Sequence, residues 1–468
     1  MSAVTNALPL PPLYYLPSDG SYWKEDEAGK WIRINEGSAM LEIRLAGFDA
    51  KAGTPLSEAE RCRLGIQTRQ NIVYAAPLAG YRAGLHRCNE NDVLVTESPR
   101  LLVPQAGEWP NLRAVFEGLL RDPDHDQLSH FYGWLKRACE SVRRGQWLAG
   151  QALALAGPVG GGKSLTQNLI TVMLGGRSAK PYLYMTGATS FNGDLFRAEH
   201  LMVEDEAESR DIRARRRFAA SIKSIAVNRD QSCHPKNRPA VTLTPRWRLT
   251  ISLNDDPERL LVLPPLNPDV ADKIILLKTR KQAMPMPTET PEQQAAFWNM
   301  LVAELPAFLA YLDEWEIPAE LRSQRFGVIH FHHPEVAELL RKTAPEYLLL
   351  ELIDQALGFG ARDRVLFPPP AAVAWDGSAL ELKQRLTGEL SPVAREASRL
   401  LDYPNACGQL LGRLQSDDSL QRVSSRLVNG QTRWTITPPL DLQNMANIVD
   451  QPCVEDPPRP PASLALAA

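Results

Sequence analysis

The segment Gln151–Ser164 reads QALALAGPVGGGKS, a short apolar run that breaks into glycines and ends in Lys-Ser, and a helical pattern from Ser164 to about Leu174 follows it. Gly157 to Ser164 matches G-x-x-x-x-G-K-[ST] in the setting its physics requires, after a strand and opening a helix. Gly157, Gly160, Gly161 and Gly162 let backbone N–H groups turn toward phosphate oxygens. Lys163 is spaced to reach the β and γ phosphates and Ser164 to ligate Mg²⁺, so the expected cofactors are ATP and Mg²⁺. A merely structural Gly-rich turn is the alternative. From average residue frequencies such a match arises by chance in roughly one chain in a hundred of this length, which favours the phosphate cradle.

Working outward, a second apolar run, Leu201–Val203, ends in Glu204-Asp205-Glu206. An acidic pair after a strand suits Mg²⁺ held by Asp205 and an attacking water polarised by Glu206. Glu204 stands where an apolar residue is usual, so the register is open by one position, and a solvated acidic helix start is the other reading. A third strand, Arg248 to Leu253, ends at Asn254, and a fourth, Lys273 to Lys278, follows a Pro-rich stretch. Strands alternating with helices predict an α/β fold with a parallel sheet and ligands at the strands' carboxyl ends.

Between Ala207 and Leu249 lie eleven basic and three acidic residues, in a chain whose formal net charge is −3. That segregation is what phosphate-backbone binding needs, and it equally describes a solvated basic face or a subunit contact. Within it, Cys233 to Pro239 reads as an exposed hairpin tip carrying His234, Lys236 and Arg238.

The flanks are less specific. Residues 1–125 mix aromatic runs and turn pairs, with a small hairpin expected around Tyr22, Trp23 and Trp31. Residues 126–290 form the central domain, and 291–360 a helical extension in which Phe297, Leu301, Leu305, Phe308 and Leu312 recur at helical spacing. Residues 361–445 show three short helices and two strands joined by Asn429-Gly430, a strong hairpin signal. Three helices and a hairpin resemble a winged helix, with Arg413, Arg422, Arg426 and Arg433 as a basic edge for duplex phosphates and Trp375 and Trp434 in the core. Residues 446–468 read as a disordered Pro-rich tail.

Composition narrows the class: 468 residues with 44% hydrophobic and 23% charged content exclude a wholly disordered or collagen-like chain. Six cysteines without a C-x-x-C pair suggest neither a disulfide framework nor a zinc ribbon. With no signal-peptide pattern and no run of about 18 apolar residues, the expectation is a soluble cytoplasmic protein without membrane contact. The run Asp122, Asp124, Asp126 reads as a solvated turn, and His330, His332 and His333 as packing and hydrogen-bonding residues rather than metal ligands.

The P-loop, the acidic pair, the basic hairpin and the strand ending in Asn254 together resemble the motifs of superfamily 3 helicases of the AAA+ class. More narrowly, with Asn254-Asp255-Asp256-Pro257-Glu258, Arg325-Phe326-Gly327 and His332-His333-Pro334-Glu335, the chain resembles primase-helicases of phages, plasmids and satellites. The resemblance implies an AAA+ P-loop core, with a small N-terminal α/β domain and a C-terminal winged-helix module beside it. It implies Asn254 as the polar sensor orienting the hydrolytic water, and His234, Lys236 and Arg238 contacting single-stranded DNA in the pore of a homo-oligomeric ring, most often a hexamer. The trans-acting cation is less well matched: Asp272-Lys273 replaces an Arg pair, leaving Lys273 and Arg259 as candidates. No polymerising-primase carboxylate set is evident, so a separate primase is an expected partner.

Three functions fit: an ATP-driven helicase on single-stranded DNA in replication of a mobile element, a nucleotide-gated initiator or loader, and a nucleic-acid-triggered ATPase in phage defence.

Overall fold

The computed structural model describes residues 9–51, 55–204, 212–266, 268–359, 374–417 and 420–439. The chain divides into two compact units, Met1–Leu340 and Arg341–Ala468.

At the centre of the first unit is a five-stranded parallel sheet in the order Ile274–Lys278, Ala152–Ala156, Arg248–Leu253, His200–Glu204, Ser178–Ala179. The four expected strands are present to within a residue. The fifth, Ser178–Ala179, is two residues long at the edge, too short to leave a sequence pattern. Every residue of Ala152–Ala156 is buried, as a strand covered on both faces must be.

Alternation along each strand sorts side chains to two layers. On one face Ala154, Val203, Ile251 and Leu276 pack with Phe218 and Ile222 of the helix Ile212–Val227. On the other Leu153, Leu155, Ile275 and Leu277 pack with Leu169, Ile170 and Met173 of the P-loop helix Lys163–Met173.

Described residues before 126 contribute to this core. Tyr74, Val93 and Val95, from a three-stranded sheet over residues 74–95, join the first layer, and helix Pro110–Leu120 joins the second. The antiparallel sheet Tyr14–Leu16, Ser21–Glu25, Trp31–Ile34 and the helices Glu36–Leu45 and Glu58–Arg69 build a small core around Tyr22, Ile43 and Ile66, and Leu16 packs in another with Ile72, Ala75 and Leu94. The expected Tyr22–Trp31 hairpin lies in that sheet, with Glu25 opposite Trp31.

Helix Pro291–Glu314 is long and apolar enough to cross a bilayer. Here it is a core helix, because Phe297, Leu301, Leu305, Phe308, Leu309 and Leu312 are buried in the second layer.

In the second unit, helices Ala379–Thr387, Ala394–Leu400 and Ala406–Gln415 pack with the hairpin Val423–Val428, Gln431–Ile436. Asn429 and Gly430 both take positive φ, 50° and 79°, as a tight two-residue turn requires. A third strand, Trp375–Ser378, adds to the hairpin's far side. Helix Pro345–Leu357, assigned by its sequence pattern to the extension, contributes Leu349, Leu352 and Ile353 to this unit's core. Trp434 is buried there and Trp375 packs against it.

Candidate nucleotide and nucleic-acid site

Register sets the site. Ala156 lies level with Leu253 on one side and Lys278 on the other, so the chain leaves the sheet between Asn254 and Thr279. The Gly157 N–H donates to the Leu253 carbonyl at 3.2 Å, and the Thr279 N–H to that of Ala156 at 2.7 Å. A Cβ at Gly157 would overlap the Thr279 hydroxyl and carbonyl, so only glycine fits there. Gly162, at φ 98°, caps the helix in a left-handed conformation that costs a β-carbon residue energy.

The loop so formed brings together two residues read separately from sequence. The Lys163 Nζ, buried at 8% exposure, donates to the carbonyls of Gly157 at 2.7 Å and Pro158 at 2.8 Å and to Asn254 Oδ1 at 3.3 Å. Ser164 is exposed in the first helical turn, with Gly160 exposed in the loop before it. The donor set therefore fits a nucleotide phosphate with Mg²⁺: an ammonium, a hydroxyl and glycine N–H groups at a helix N-terminus. Asp205 and Glu206 lie outside the described residues. Glu204, the last residue of its strand, pairs with Lys180 at 3.1 Å and stands opposite Ser252.

Beneath the loop is a polar network that sequence reasoning missed. Gln167 Nε2 donates to Thr250 Oγ1 at 2.7 Å. The His200 ring lies between Thr171 Oγ1 at 2.7 Å and Thr250 Oγ1 at 2.8 Å. Burial pushes the His200 imidazole down to about 3, so it is neutral at physiological pH. These residues tie the P-loop helix to the two strands ending in Glu204 and Asn254. In sequence they are ordinary strand and helix positions.

A second missed element follows the fourth strand. Residues 279–284 run along the P-loop, where a Cβ on Gly161 would lie 3.4 Å from the Arg280 carbonyl and one on Gly162 3.3 Å from Met284. Beside them is a cavity of about 550 Å³ lined by Ala114, Glu117, Gly118, Arg121, Pro123 and Arg280. The signal that could have found it is Lys278-Thr279-Arg280-Lys281, a basic run at a strand's carboxyl end.

Neither cation candidate reaches this P-loop in any described contact. Lys273 is ion-paired to Asp272, which also holds Arg325 at 3.2 Å. It precedes Ile274, paired with Ala152, so about 13 Å of strand separates it from the loop. Arg259 is half-buried in the short helix Pro257–Leu260 after Asn254.

The basic run does form a hairpin: Gln231–Cys233 pairs antiparallel with Val241–Leu243 and projects residues 234–240. Asn192 pins its base, Oδ1 accepting from the His234 N–H at 2.6 Å, and the His234 ring packs on Phe191. Lys236 is exposed. Arg238 donates to Asp19 Oδ2 at 2.5 Å, a contact between the first sheet and the tip. Among the described basic residues, Arg248 is buried and Arg246 half-buried. Arg246 packs over the Tyr81 ring and donates to the Gly80 carbonyl at 2.7 Å. Arg248 is 5% exposed, and burial pulls its guanidinium down to about 10.

One sequence expectation needs correction. Asp122 is not in a solvated turn: its side chain is 4% exposed and pairs with Arg280 at 2.6 Å and His333 at 3.4 Å. In the second unit the four arginines of the basic edge share three carboxylates. Arg413 pairs with Glu346 (3.4 Å), Arg422 with Asp354 (2.5 Å), and Arg426 and Arg433 with Asp376 (2.7 and 3.0 Å). Asp124 and Asp126 do serve the turn, the latter capping helix Gln127–Arg143 through the Ser129 N–H, and His332 hydrogen-bonds the Ala271 carbonyl.

No family model and no curated protein matches the sequence. Among solved structures, the chain is similar to an apo structure of the NrS-1 C-terminal region, at TM-score 0.50 and 10% identity over 91% of this chain and 96% of that one. It also matches SCCmec type IV Cch, an active helicase, at TM-score 0.29 and 9% identity over 94% and 72% of the two chains. A JCV helicase bound to a small acetamide matches at TM-score 0.25 and 11% identity over 53% and 70%. The fold is thus one shared with the NrS-1 C-terminal region.

Proposed function

We propose that this chain is an ATP-dependent helicase of the superfamily 3 AAA+ type, translocating on single-stranded DNA in the cytoplasm during replication of a phage, plasmid or satellite element. The observation that carries the proposal is the meeting of Lys163 and Asn254 at the carboxyl ends of adjacent parallel strands. The Lys163 ammonium lies 3.3 Å from the Asn254 amide, which supports reading the first as a phosphate ligand and the second as a group that orients water.

In this reading Gly157 to Ser164 hold the triphosphate, with Lys163 exchanging its carbonyl partners for β and γ oxygens. Ser164, with Asp205 through water, would hold Mg²⁺, which when bound would supply charge neutralisation for the leaving group. Glu206 and Asn254 position the water. The 550 Å³ cavity beside Arg280 takes the base and sugar. A homo-oligomeric ring, hexameric by the resemblance, presents Lys236, Arg238 and His234 to the single strand and supplies Lys273 or Arg259 in trans. A separate primase completes the replication set, and the second unit, a winged helix in this reading, is a contact module.

A nucleotide-gated initiator or loader is the second reading, favoured by Lys273 being held by Asp272 and Arg238 by Asp19. Steady-state ATP hydrolysis with and without single-stranded DNA separates the two. A helicase shows stimulation by DNA that the Lys236→Ala, Arg238→Ala double variant loses. Slow hydrolysis indifferent to DNA in both proteins supports the loader.

A further inference from the structure

We infer that Asp122, His125 and His333 form a binding site for a divalent transition ion of the zinc class. One ligand atom from each residue lies within 4.8 Å of the other two. A carboxylate with two imidazoles is the donor chemistry zinc takes. The His333 Nε2 to Asp122 Oδ2 separation of 3.4 Å already equals one edge of a tetrahedron around zinc, about 3.4 Å for metal–ligand distances near 2.0–2.1 Å.

Two further features mark the cluster. His333 is 1% exposed and turns its Nε2 to Asp122, while among the described residues its Nδ1, on the other side of the ring, has no hydrogen-bond partner. Residues 120–128, which include Asp122 and His125, line a cavity of about 330 Å³ that leaves room for solvent at an open coordination position.

Arg280 is the competing cation, since its guanidinium occupies Asp122 Oδ2 at 2.6 Å. Metal entry replaces that guanidinium as the counter-charge of Asp122, and this gives the site a signature that a structural ion-pair network lacks. Removing Arg280 should strengthen metal binding instead of weakening the cluster.

The test is calorimetric titration of the chelator-treated full chain with Zn²⁺, with Co²⁺ absorption reporting tetrahedral geometry. Wild type should bind one ion at this cluster. His125→Ala, at a half-buried position, should weaken binding by more than about tenfold with an unchanged thermal melt. Arg280→Ala should tighten it by about threefold. Binding unaltered by His125→Ala, no Zn²⁺ uptake by the wild type, or loss of binding in Arg280→Ala would each overturn the site.

Discussion

Two antiparallel hairpins carry the arginines that the sequence marks for nucleic acid, and they treat those charges in opposite ways. In Gln231–Leu243 the tip is exposed at Lys236, and Arg238 is held by one acid more than two hundred residues away in sequence, Asp19. In Val423–Ile436 both strand arginines, Arg426 and Arg433, share Asp376 on the neighbouring strand. Net basic composition is similar. What differs is whether the carboxylate is built into the same sheet. A cross-strand acid ties two arginines to the sheet with one positive charge left over, whereas a single distant acid can be displaced by a phosphate at the cost of one partly exposed pair, about 1 kcal/mol or less.

The hairpins can be compared only while the sheet beneath the first one is folded, and His200 sets the acid limit. Its folded pKa, about 3, lies below its ordinary 6.5, so the neutral ring contributes stability that is fully present above pH 6.5 and lost as pH falls toward 3. The expected loss is about 1.4 kcal/mol per pH unit below about 6.5. Urea unfolding midpoints from pH 7 to 5 should show that slope in wild type and a shallower one in His200→Gln. Equal slopes would mean His200 is not buried as a neutral base.

Next in size is the charge at the exposed tip. Lys236→Ala, Arg238→Ala should weaken single-stranded DNA binding roughly tenfold and cut the salt slope by about 1.4, the value for two phosphate contacts on a single strand. Titrations at several salt concentrations measure both. Weaker binding with an unchanged slope would show the tip acting through hairpin structure, and the contrast between hairpins would lose its electrostatic basis.

How much of this was legible in the sequence depends on how local each signal is. The P-loop, the strand ending in Asn254 and the Asn429-Gly430 turn were readable because strand, turn and chemistry lie within a dozen residues. That Lys163 touches Asn254 needed the sheet register. The Asp122–His333 contact spans 211 positions between two segments that each resemble a surface turn, so neither half could announce it. Thr250 lies inside an expected strand and His200 just before another, and neither announces its partners, which are on another strand and a helix. Arg248 shows the reverse error, with Arg246 half-way to it: a charge count sees formal charge and not facing, and Arg248 is buried while Arg246 lies half-buried on the Tyr81 ring.

Asp19 supplies the finer cut. If its carboxylate competes with phosphate for Arg238, Asp19→Asn should tighten single-stranded DNA binding about threefold, the scale of one partly exposed ion pair. The gain should vanish when Arg238 is already alanine. Fluorescence anisotropy on the two single variants and the double closes that cycle. Additive effects would mean that Asp19 acts elsewhere, for instance through Arg33, which it also contacts at 3.1 Å.

The smallest expected effect is at the second hairpin. Arg433 and its partners hold the Asp376 carboxyl below its ordinary range, so this is a satisfied cluster, with Thr435 also donating to Asp376 at 3.0 Å. Arg426→Gln, Arg433→Gln should therefore change duplex DNA affinity by less than about twofold, since both guanidinium groups are engaged by Asp376. Asp376→Asn is the informative partner. Freeing both arginines should raise duplex affinity, and by more than the arginine variant lowers it. If the arginine pair instead costs tenfold in the gel-shift assay, the ion pairs open on DNA, the two hairpins behave alike, and the second unit becomes a duplex-binding module after all.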